Sequence, residues 1–166
     1  MSNVIFILLP MIPFITRSIL FIKYFSKMGG QITNEEKDRE SHRSYILPLA
    51  GFSFAGLIGL IVVDASKLIH YSYPIYYIFL SFIFFIFSAN LQSYKSRLWE
   101  DQIATGCIDI ANFCLILCII SLLFAAHIDK TMTYTLAVIA FILWLFDHIM
   151  RMIFEFSYYH EKEIQK

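Results

Sequence analysis

The chain has 166 residues, of which 58% are hydrophobic and 16% charged, and its formal net charge is zero. An ordinary soluble domain carries about 25% charged residues, so this composition argues against one. The balanced charge also gives no basic surface for nucleic acid. The apolar residues fall in long blocks that do not alternate with polar ones, which argues against strands and predicts an all-α integral membrane helical bundle.

The first element is a hydrophobic segment over residues 3–22, "VIFILLPMIPFITRSILFI" at its centre, interrupted by Pro10, Pro13 and Arg17. Proline removes a backbone donor, which is costly in lipid unless another group compensates. Neither a basic start nor a small-residue cleavage site makes it a signal peptide. It reads either as a kinked fifth span or as a re-entrant or interfacial helix. Residues 23–45 follow as a polar loop of mixed charge, a solvated loop or short helix with a turn at Gly29-Gly30.

Four main spans come next, at 46–63, 74–91, 103–126 and 132–152. Each is near the roughly 17–25 residues that a helix needs to cross a bilayer. Residues 153–166 form a tail, in which "YYHEKE" reads as solvated and not as a metal site. The whole chain is a single transmembrane domain without internal repeats.

Charge orients the spans. The 23–45 loop, the 92–102 loop and the C-terminal end hold ten Lys and Arg residues, against Lys67 and Lys130 on the other side. The positive-inside rule then places the C-terminus in the cytoplasm of a multi-pass protein of the inner (plasma) membrane, with the spans as two hairpins. Tyr71, Tyr73, Tyr76, Tyr77 and Tyr134 sit near the outer ends, and Trp99, Tyr158 and Tyr159 near the inner ends, where aromatic belts belong.

Polar residues inside the spans are the candidate site. At 100° per residue, Gln102, Thr105, Asp109 and Asn112 share one face of the third span. An ionised aspartate at membrane depth must face protein or water. Asp147, His148, Arg151 and Glu155 of the fourth span and Asn90 of the second stand at the same level. Three readings of this layer follow: an Asp109–Arg151 ion pair that pins helices, a polar vestibule, or a proton relay through Asp109 and His148. Above the layer, Ile116, Ile120 and Leu123 continue the face as a candidate apolar gate.

Cys107, Cys114 and Cys118 lie behind that stripe and read as reduced, small hydrophobes. Gly51, Ala55 and Gly59 form a small-xxx-small pattern suited to helix packing and to self-association. No cofactor or metal is expected, and the absence of HExxH or a Gly-rich phosphate loop argues against an enzyme.

The size, the four spans with charge on the cytoplasmic face, and Asp109 and Arg151 within spans resemble the small four-helix membrane effectors of bacterial anti-phage defence, of the Hailong and Kiwa type. That resemblance implies a gated homo-oligomeric channel that depolarises the membrane on an infection signal. A tetramer is the working expectation. The alternative is a non-conducting membrane anchor or adaptor that recruits a cytoplasmic partner through residues 23–45 and the tail. Either way the lipid bilayer is the surrounding partner.

Overall fold

The computed structural model describes residues 7–24, 36–62, 71–92 and 98–164, with side chains over 7–18, 43–62, 71–92, 100 and 102–153. A 3-10 turn at Leu9–Met11 leads into α1 (Ile12–Tyr24), followed by α2 (Glu36–Val62), α3 (Ser72–Leu91), α4 (Leu98–Ala125) and α5 (Lys130–Ile164). No strand occurs among the described residues. Stretches of α2 to α5 are long and apolar enough to cross a membrane, at Arg43–Val62, Ser72–Leu91, Gln102–Ala125 and Lys130–Ile153. The protein is a multi-pass helical membrane protein.

The helices outrun the spans expected from hydropathy. α2 begins at Glu36, inside the polar 23–45 segment, where "EKDRE" supplies helix formers and early acidic residues that suit a helix N-terminus. α5 continues through most of the 153–166 tail to Ile164. Its 35 residues measure about 52 Å at 1.5 Å each, against a hydrocarbon core of about 30 Å. The inner aromatic residues Trp99, Tyr158 and Tyr159, together with the side chain of Glu155, lie outside the described side chains.

Two clusters stack along the bundle. At the end that charge assigns to the cytoplasm, the inner end, Ile46 and Ala50 of α2 meet Phe85 and Ala89 of α3 and Ile108 and Ala111 of α4. Towards the outer end, Leu57, Tyr77, Ile78 and Cys118 repeat the arrangement. Lipid tails are as apolar as these side chains, so close packing and a few polar contacts hold the helices, not exclusion of water. Accordingly, small residues lie between the helices. Ser53 and Ser81 face each other at 3.4 Å, and Ser88 Oγ donates to the Ala104 carbonyl at 2.9 Å. A Cβ on Gly56 would lie 2.6 Å from Ile78 Cδ1.

α4 is the central helix, packed by α1, α3 and α5. α5 is peripheral, with most of its apolar residues turned outward, and joins α4 through Phe113, Phe141 and Trp144. Pro10 lies in the 3-10 turn and Pro13 at the start of α1, and between them the Ile12 N–H donates to the Leu9 carbonyl, so the chain stays helical through both prolines. Both are buried. The segment runs beside α4 for most of the bundle height. Tyr76 Oη, near the outer end of α3, donates to the Ile7 carbonyl at 3.1 Å, while Arg17 reaches the inner half of α4.

Candidate functional site: a polar layer around Asp109

The site forms where α1, α4 and α5 meet. Arg17 Nε donates to Asp109 Oδ2 at 2.6 Å, and Arg17 Nη1 donates to Gln102 Oε1 at 3.1 Å. Both charged side chains are buried. Asp109 and Gln102 are seven residues apart, two helical turns, so one guanidinium fork on the facing helix reaches both. The arginine also needs room. A Cβ on Gly106, between those two residues, would touch Arg17 Cδ at 3.4 Å.

His148 completes the layer from α5. Its Nδ1 lies 3.3 Å from Asp109 Oδ2, an ion-pair distance without the alignment of a good hydrogen bond. Its Nε2 is 3.0 Å from Thr16 Oγ1. The ring stacks on Trp144 at 5.2 Å with a 12° interplanar angle, and Trp144 leans on Phe113 of α4 at 4.3 Å. Thr16 Oγ1 also lies 2.9 Å from the Pro13 carbonyl, so its one proton has competing acceptors.

Arg151 holds the edge. It bonds Asp147 at 2.9 Å, one turn away on its own helix, and reaches Asp109 Oδ1 at 3.9 Å. Among the described side chains, Asp109 thus has a short ion pair to Arg17 and a longer one to Arg151. A carboxylate paired this way sits in low dielectric at far smaller cost than an isolated one.

The sequence-derived candidates divide. Asp109, His148 and Arg151 converge as expected, but the short bond to Asp109 belongs to Arg17, and Arg151 is the distant partner. Asp147 points outward, with 57% of its side chain exposed. Asn90 is exposed and corrects the expectation that it joins the layer. The face of α3 turned towards α4 runs through Ser81, Phe85, Ser88 and Ala89, and Asn90 is turned about 100° from Ala89. Thr105 and Asn112 are half-buried beside Asp109 on α4.

Ile116, Ile120 and Leu123 are half-buried; Ile120 lines one cavity and Leu123 another, on two sides of α4. Gly51, Ala55 and Gly59 are exposed, and nothing lies within 4 Å of where a Cβ on either glycine would stand. Among the described glycines the tightest approach is at Gly56. The three cysteines are buried free thiols. Among the described residues no group of His, Cys, Asp and Glu is arranged to hold a metal.

Arg17, Thr16, Gln102 and Gly106 are the residues of this site that sequence reasoning left unassigned as partners. A charge inside a proline-broken apolar segment was the available signal for Arg17. No family model, characterised protein or solved structure matches the chain. The functional reading therefore rests on the geometry.

Proposed function

We propose that the chain is a multi-pass membrane anchor that presents its inner helical extensions to a cytoplasmic partner, with the Arg17–Asp109–His148 layer fixing the bundle. One observation carries this reading. The inner half of α4 is buried on nearly every side, with Ala104, Gly106, Cys107, Ile108, Asp109, Ile110 and Ala111 all enclosed. Wrapped there by its own chain, the inner half of α4 offers little free face for lining a pore at an oligomer axis, and its carboxylate is already paired with Arg17. The length of α5 supports the anchor: about 20 Å of helix extends beyond a 30 Å core. The test is conductance. Purified protein in planar bilayers should pass no current across a range of voltages, and affinity capture of the full chain through a tag on residue 2 should recover a partner that is lost when residues 154–166 are deleted.

One observation favours a second reading. The Asp147–Arg151 pair faces out of the bundle from within a span, with side chains 57% and 36% exposed. A charged pair at that depth calls for water, the interface or protein beside it. In a homo-oligomeric channel of the kind implied by the defence-effector resemblance, α5 rather than α4 would line the path. Current whose ion preference changes in Asp147→Asn would carry this reading and overturn the anchor.

A further inference from the structure

At the outer end, the 3-10 turn, α3 and α4 border a half-open cavity of about 480 Å³ lined by Leu9, Tyr73, Tyr77, Leu117, Ile120 and Phe124. That volume lies in the range of about 300–1,000 Å³ typical of small-molecule sites. We propose that this cavity binds one acyl chain of a phospholipid from the leaflet on the His127 side.

The lining decides the ligand class. Ser121 is among the few polar residues along the wall, and its hydroxyl is turned onto its own helix, at 2.7 Å from the Leu117 carbonyl and 2.9 Å from that of Cys118. A buried water needs two to four polar partners, and apolar cavities stay dry and take apolar guests. A dry void beside lipid forfeits the dispersion contacts of every atom lining it, so hydrocarbon fills it.

Depth gives the orientation. Ile120 lies five residues before the end of α4, about 8 Å along the helix, and so within the hydrocarbon layer. His127 is exposed beyond the helix end and lines the rim. The occupant is thus a chain pointing inward with its polar head level with His127.

The turn that carries Leu9 makes this a gripped site and not a patch of annular lipid. It is tethered above by Tyr76 bonding the Ile7 carbonyl and below by Arg17 bonding Asp109. The acyl chain lies in the cleft that Leu9 of that strap shares with α3 and α4.

The test uses the full chain in phosphatidylcholine nanodiscs doped with phosphatidylcholine that bears a diazirine in its acyl chain. After irradiation, mass spectrometry should find adducts at Leu117, Ile120 and Phe124 in excess of those at Leu143, an outward-facing residue of α5. Ser121→Phe fills the cavity and should lower the labelling of α4 to the Leu143 level. Ala125→Leu is a smaller filling that serves if the phenylalanine prevents folding, and it should give a partial loss. Equal labelling at α4 and Leu143, or labelling unchanged by a folded filling variant, overturns the proposal. A benzophenone at Phe124 that yields covalent dimers in place of lipid adducts assigns the groove to a second copy and overturns it as well.

Discussion

Arg17 and Asp109 are separated by 92 residues and joined by a 2.6 Å hydrogen bond between buried charges. The pair ties the proline-broken N-terminal helix to the centre of the bundle. Removing one partner leaves the other charge buried, so Arg17→Ala and Asp109→Ala should each destabilise the fold by about 3 kcal/mol. Equilibrium unfolding in mixed detergent measures this. The Arg17→Leu/Asp109→Leu double variant should recover most of the loss, and Arg151→Ala should cost under about 1 kcal/mol because it is half-exposed. Additive effects of the Arg17 and Asp109 changes would show that the two are not coupled.

His148 combines a polar contact to Thr16 with a stack on Trp144. His148→Ala should therefore lose about 2 kcal/mol, the sum of a modest hydrogen bond and an aromatic contact. His148→Phe keeps the stack and loses the polar contacts, so it should fall between. If His148→Phe were as damaging as His148→Ala, the stack would contribute nothing.

Gly56 and its neighbours on the small-residue pattern should behave oppositely. Gly56→Leu forces bulk against Ile78 and should cost about 2 kcal/mol by overpacking. Ile78→Ala in the same chain should restore part of it. Gly51→Leu and Gly59→Leu point into open space and should leave unfolding unchanged. Their place to register is self-association, read by sedimentation in detergent. A fold defect in either would contradict the placement of that face.

Single cysteines in a background without native cysteines test the sidedness. Ser72 and Lys130 should label from outside, and Ser41, Ser96 and Gln165 should not. Because the N-terminal segment runs alongside α4 from the outer end inward, Ser2 should also label from outside. Protection of Ser2 with the other sites as expected would mean that the segment re-enters and does not cross.

Ile120→Asn and Leu123→Ser separate the anchor from an α4-lined channel. In a non-conducting anchor these two half-buried side chains gate nothing, so neither change should produce conductance or collapse membrane potential. Current from either variant, with wild type silent, would restore the gate.

Hydropathy alone was enough to find the four spans, because bilayer thickness and the need to satisfy every backbone group act on each segment locally. It also marked Asp109 as a group that must have a partner, since its cost in lipid is a property of the residue. Helical periodicity gave its face on α4 and put His148 and Arg151 at the right level. The tertiary structure decided which helix covers that face. Arg17 rather than Arg151 takes the short bond, Asn90 turns outward, and Gly56 rather than Gly51 or Gly59 meets a neighbour. The reason is physical. In water an apolar face must be buried, so a sequence pattern points at its core. In lipid an apolar face is equally at ease against tails or another helix, and only the packing of small residues and the pairing of a few charges distinguish the two.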